Sequence, residues 1–350
     1  MDRRGDNPMV TGAVFAGLAA IAFGLTTPLI KRFGEGVGAF GTAALLYGGA
    51  AAASIAARAE GEASVRRAHV PRLVAVAILG AVLAPVALAW GLQRTSATTA
   101  SLLLNLEAVF TVLLARAVYG EPVGRRVGVA VTLMAVAGVL LVARGGASRE
   151  AGSAVGAVAV LAASFGWAAD NTLTRPLADL DPARVVLWKG GLGAALSAAV
   201  AVALGERAPA WGAALALVAC GAVGYGLSLR LYLQAQRRIG AARTGSIFAV
   251  APFVGAAVAW AMGDRAGGAV ELAAGAILAG AVYLHLTERH EHAHAHDALE
   301  HEHAHRHDDG HHTHAHDPPF AGEHSHPHGH EAMAHDHPHG IDVHHRHPHE

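Results

Sequence analysis

The sequence predicts an all-α integral membrane protein: ten transmembrane helices arranged as two inverted five-helix repeats, followed by a disordered His-rich tail. Three observations predict it. Composition comes first, because 53% of the 350 residues are hydrophobic and only 15% are charged, where soluble domains carry about 25% charged residues. Charge is also unevenly placed. Residues 1–289 hold 24 Lys and Arg against 15 Asp and Glu, a net +9, while residues 290–350 hold 2 against 12, a net −10, with 23 of the 25 histidines. The third observation is an internal repeat within the apolar body.

The ten helices follow from length. A crossing needs about 20 mostly apolar residues to cover roughly 30 Å of hydrocarbon. The body supplies such runs at about 11–30, 38–57, 72–92, 98–118, 126–143, 153–173, 184–204, 211–233, 244–262 and 268–286. The first run lacks a convincing cleavage site and leads into a matching second run, so it reads as a retained helix. With the N-terminus inside, thirteen basic residues fall in inner connections and seven in outer ones, which predicts cytoplasmic termini in a plasma (inner) membrane. Trp90, Trp188, Trp211 and Trp260 lie near run ends, where amphipathic rings suit the headgroup region. Gly120, Gly124 and Gly128 are spaced for close helix packing.

The repeat follows from recurring residues. Phe23-Gly24 recurs as Phe165-Gly166, and Tyr47-Gly48-Gly49 as Lys189-Gly190-Gly191, both at an offset of 142. Gly80-Ala81-Val82 recurs as Gly221-Ala222-Val223, and the stretch from Thr98 to Phe110 resembles Arg243 to Phe253, with Glu107 opposite Pro252. Five runs per unit make the second copy enter from the opposite side, an arrangement typical of secondary transporters with a site between the halves. The boundaries are an N-terminal segment at 1–10, a first repeat at 11–144, a second at 152–287 and the tail at 288–350.

Several of these stretches carry a family resemblance. They are the run from Thr95 to Phe110, the Gly120-Glu121 turn, Gly240 to Ser246 with Ala251-Pro252-Phe253, and Asp170 to Arg175 with Trp188-Lys189-Gly190-Gly191. Over roughly residues 12–286 the chain resembles the drug/metabolite transporter superfamily, specifically its EamA-type ten-helix members. The resemblance implies alternating-access carriers of small organic solutes. Many such relatives end in His-rich tails, and many have proline where this chain has Glu107.

Polar residues inside apolar runs are the candidate substrate and coupling residues, because a charge at bilayer depth costs about 2.5–3.5 kcal/mol on insertion scales. Glu107, near the middle of the fourth run and two residues after Asn105, is suited to bind a proton or a cationic substrate group and change charge during a cycle. Alternatively it locks two helices together. Asp170 and Asn171 lie toward the inner end of the sixth run and Lys189 at similar depth in the seventh. Asp170 and Lys189 can pair structurally, or act as a gate. Arg230 in the eighth run either snorkels or reaches a substrate. Pro28, Pro85 and Pro252 interrupt runs one, three and nine, which is tolerated where a cavity or another partner takes the released carbonyl.

The tail alternates histidine at every second position and has too few apolar residues to build a core. Its imidazoles are candidate ligands for Zn, Ni, Co or Cu. They are His290, His292, His294, His296, His301, His303, His305, His307, His312, His314 and His316. No cofactor is required. Expected partners are the lipid bilayer, a small-molecule substrate and divalent metals at the tail, with a homodimer left open and no nucleic acid.

Other classes are excluded. The lone Cys220 cannot form an internal disulfide, and neither Lys31 nor Lys189 follows a glycine, so no phosphate-binding Gly-Lys loop exists. No nucleophile–base pair appears in the body, so an enzyme is not expected. The leading expectation is a secondary transporter of small organic solutes with a metal-chelating cytoplasmic tail. A transition-metal transporter, a metal-linked exporter and a non-transporting membrane metal sensor are the alternatives.

Overall fold

The computed structural model describes residues 8–55, 65–120, 123–147, 152–177, 180–239, 241–264, 268–286, 293–296, 299–305, 324–330 and 333–336. Its body is helical. In the first half, α1 (Pro8–Gly24) and α2 (Thr26–Phe33) meet at Leu25 and are followed by α3 (Ala39–Ile55). Next, α4 (Val70–Val76) passes through a π-helical stretch, Ala77–Leu83, into α5 (Ala84–Leu92). The pair α6 (Ala97–Leu103) and α7 (Leu106–Tyr119) is interrupted at Leu104-Asn105, and α8 (Arg125–Ala147) closes the half. The second half opens with α9 (Ser153–Thr174) and α10 (Pro182–Ala203). A second π-helical stretch, Ala222–Leu227, joins α11 (Trp211–Gly221) to α12 (Ser228–Ile239). Then α13 (Ala241–Phe248) and α14 (Ala251–Ala261) are interrupted at Ala249-Val250, and α15 (Ala269–Leu286) ends the body.

Seven segments are long and apolar enough to cross a membrane: Met9–Phe33, Arg67–Leu92, Ala97–Tyr119, Arg125–Arg144, Ser153–Leu177, Ala183–Ala203 and Trp211–Ala235. Ala39–Ile55, Ala251–Ala261 and Ala269–Leu284 are shorter apolar helices. Geometry explains the shortfall. At 1.5 Å per residue α14 alone covers about 16 Å, so the ninth apolar run reaches full length only together with α13.

The three prolines sit beside irregularities. Pro28 lies in the first turn of α2, Pro85 in that of α5 and Pro252 in that of α14. An early helical position tolerates proline because the missing N–H is an unused donor there. The interruption at Leu104-Asn105 arises without proline. Asn105 closes it locally by donating from Nδ2 to the Leu102 carbonyl at 3.0 Å.

Short connections fold successive segments back and forth. The start of α1 and the ends of α3, α7, α9 and α12 lie on one face, called the near face, and the ends of α2, α5, α10 and α14 lie on the far face. Packing crosses between the halves: α3 lies against α10 and α11, α1 against α12, α8 against α15, and α5 against α9. Small residues permit this closeness. A side chain at Gly221 would collide with the Leu46 carbonyl of α3, and many of the fully buried residues are alanines such as Ala43, Ala50, Ala157 and Ala163. Gly120 and Gly128 do not serve close packing among the described residues, because none of these lies within 4 Å of where their Cβ atoms would stand. Gly120 instead caps α7 at φ 70°, a left-handed conformation that suits glycine.

Four short stretches of the tail are described. β1 (Ala293–His296) pairs with β4 (Met333–Asp336), and β2 (Leu299–His305) with β3 (His324–His330), both antiparallel. Alternation explains the compatibility, since period two is also the period of a strand. His290, His292, His307, His312, His314 and His316 lie outside the described residues.

Candidate functional site

The site begins at the π-helical stretch in the third apolar segment. A widened turn leaves a carbonyl without its usual intrahelical partner, and the Gly80 carbonyl is taken by side chains from two other segments. The Tyr47 hydroxyl of α3 donates to it, and Trp167 Nε1 of α9 donates to it at 3.0 Å. The same indole N–H lies 3.3 Å from the Tyr47 oxygen. Gly80 also makes room for a charge, because a Cβ there would collide with the Asp170 carboxylate.

Asp170 and Lys189 form an ion pair between α9 and α10, with side chains 3% and 15% exposed. The second carboxylate oxygen of Asp170 accepts from Thr174 Oγ1 at 3.3 Å, one turn along α9. A buried carboxylate needs such partners on both oxygens.

Glu107 stands in the first turn of α7, immediately after the interruption at Leu104-Asn105. It is partly exposed, and its Oε1 accepts a 2.7 Å hydrogen bond from Asn171 Nδ2, a residue exposed on α9. Asp170 and Lys189 are within its electrostatic reach. Two carboxylates and one ammonium therefore share this region, a formal excess of one negative charge.

Aromatic rings enclose the same region. The Tyr225 ring lies 5.4 Å from Tyr47, 5.7 Å from Phe23 and 6.1 Å from Trp167, centroid to centroid. Phe23 also meets Phe248 of α13 at 5.6 Å. The Tyr225 hydroxyl is buried beside Thr26; the Thr26 proton goes to the Phe23 carbonyl at 2.6 Å. A buried phenol ordinarily finds a partner, and Thr26 is the polar group beside this oxygen at the centre of the ring cluster.

The two interrupted segments diverge around the site. On the far side α6 packs against α14, and a Cβ on Gly255 would press on the Gly24 carbonyl and on Ser101. On the near side α7 turns to α8 and α9, whereas α13 turns to α1 and α12. Glu107 sits where they part.

Of the residues singled out from the sequence, Glu107, Asp170, Asn171 and Lys189 come together here. Asn105 is spent on its local hydrogen bond, and Arg230 is exposed on α12, outside the cluster. Among the described residues no three His, Cys, Asp or Glu side chains converge as metal ligands. Sequence reasoning missed Tyr47, Gly80, Trp167 and Tyr225 as site residues. One signal was readable: of the five tryptophans, only Trp167 falls in the middle of a run. Tyr47 and Gly80 were noticed only as repeat markers.

Comparison with known proteins gives this arrangement a family. Residues 10–144 and 154–286 each match the EamA-like transporter family. The chain belongs to the EamA-like transporter family. Its family domain is duplicated, one copy in each half, and it is a multi-pass membrane protein with the bilayer as its surroundings. It is 28% identical over 214 residues to an uncharacterized transporter from Methanothermobacter thermautotrophicus, a match covering 58% of this chain and 60% of that relative. It is also similar to a protein of known crystal structure at a TM-score of 0.59 and 24% identity, covering 78% of this chain and 95% of the other. That likeness concerns the fold.

Proposed function

We propose that this EamA-family protein is a secondary transporter of small organic solutes that works by alternating access. In this reading all ten apolar segments cross the plasma membrane as two inverted repeats with both termini in the cytoplasm, so that the near face is the inner one. Glu107 binds a proton or the cationic group of the substrate, and Asp170 with Lys189 forms the polar wall beside it. The single observation that carries the reading is the position of Glu107. It is a partly exposed carboxylate at an interrupted helix, between the two halves, where α7 and α13 part.

Charge and shape favour a protonated amine as substrate. The ion pair satisfies itself, which leaves the Glu107 carboxylate as the unmatched charge, and ring faces such as those of Tyr47, Trp167 and Tyr225 attract cations. The tail is a second element of the proposal. Its alternating histidines, which include the paired stretches Leu299–His305 and His324–His330, supply the residue type that chelates divalent metals.

Proteoliposome uptake of a panel of small protonated amines, driven by a pH gradient, tests both elements. Glu107→Gln should reduce uptake at least tenfold while the protein remains monodisperse; undiminished uptake would remove Glu107 from the mechanism. Repeating the assay with radioactive zinc and with protein lacking residues 290–350 separates the alternatives. Zinc flux that disappears with the tail would make metal the cargo.

A further inference from the structure

The far face carries cross-links between the halves that the proposed substrate site does not use. Glu206 lies in the connection between α10 and α11, and its carboxylate accepts from the backbone N–H groups of Phe40 at 3.2 Å and Gly41 at 2.7 Å, at the start of α3. Asp264 lies just beyond α14, and its Oδ2 accepts from the Thr98 N–H at 3.1 Å, at the start of the 97–119 segment. Both acids belong to the second half, and both occupy unused N–H donors of first-half helices, where the helix dipole adds to the attraction. Lys31 supports the same face by donating to the Thr95 carbonyl at 2.9 Å, next to the loop that Asp264 holds.

The Asp264 link joins the two interrupted segments at their far ends. Below it α6 and α14 are packed through Ser101 and Gly255, and Ser101 is fully buried. A path from the central site to the far face between α6 and α14 separates these two half-helices, and the Asp264–Thr98 hydrogen bond spans that seam. Glu206 holds the corresponding seam between α3 and the α10–α11 connection. On the near side of the same pair of segments, α7 and α13 face other neighbours.

We propose that Asp264 and Glu206 are access-controlling residues: they latch the far face shut, and their release from the Thr98, Phe40 and Gly41 amides opens it. The latch rests on the transport reading above, since it names the barrier that an alternating-access cycle would have to lift. Its test reads conformation and needs no substrate, so the two readings can fail separately.

The experiment uses the full chain in sealed proteoliposomes, with Cys220→Ala removing the single native thiol and Ser101→Cys supplying a reporter in the α6–α14 seam. Labelling by a membrane-impermeant thiol reagent reports far-face opening. Asp264→Ala and Glu206→Ala should each raise the labelling rate roughly fivefold, the scale of one lost helix cap, with the larger effect from Asp264. Rates unchanged in both variants would overturn the latch. If a variant fails to fold, the converse measurement decides. Cysteines at positions 98 and 264 joined by a short bifunctional maleimide should hold the Ser101→Cys reporter unlabelled, and labelling that continues after cross-linking would overturn the proposal.

Discussion

The far and near halves of the interrupted segments use the same small, apolar residues for opposite ends. On the far side, glycine and serine let α6 and α14 approach until backbone meets side chain, and two carboxylates fasten the connections above them. On the near side, α7 and α13 part, and the space between their directions is bordered by a partly exposed carboxylate, an exposed asparagine and an ion pair. Tightness on the far side comes from absent side chains, whereas on the near side polar side chains reach across to partners on neighbouring helices.

The near side is most sensitive at the ion pair. Asp170→Ala should destabilise the folded protein in detergent by about 3–5 kcal/mol, because it leaves the Lys189 ammonium buried without its counter-charge. Removing both partners together should cost distinctly less, and thermal unfolding of the two variants measures the difference. A smaller effect sharpens the far side. Gly255→Leu should cost about 1–3 kcal/mol by overpacking the α6–α14 seam, again seen as a lowered unfolding temperature. If it costs nothing, the far-side packing is not tight. Smallest of all, Arg230→Ala should change stability by no more than about 0.5 kcal/mol, in keeping with an exposed side chain outside the cluster; a large loss would mean that the cluster extends to α12.

Legibility of the sequence followed the same division. The apolar runs and their duplication were visible because membrane crossing demands length and low charge, and the ion pair between Asp170 and Lys189 was visible because charges in apolar runs are conspicuous. Glu107 stood out for the same reason. What could not be read was contact between backbone and side chain. Nothing in Gly80-Ala81-Val82 announces a widened turn, and the hydroxyl of Tyr47 looks like any other until its acceptor is known. Proline gave partial information: Pro28, Pro85 and Pro252 mark irregularities, but the interruption beside Glu107 has none. Gly120 and Gly128 misled, because helical spacing of small residues does not say what stands opposite them.

The Gly80 carbonyl has a consequence for how such a protein is studied. It contributes a strong acceptor to the centre of the molecule, yet that acceptor belongs to the main chain and survives every side-chain replacement. A scan that substitutes polar residues one at a time would register Tyr47 and Trp167 as independent contributors and never touch the atom that unites them. Replacing the amide that follows Gly80 by an ester, which weakens that one oxygen as an acceptor, would reach it directly. In membrane helices built from alanine and glycine, part of the working chemistry is written in the backbone.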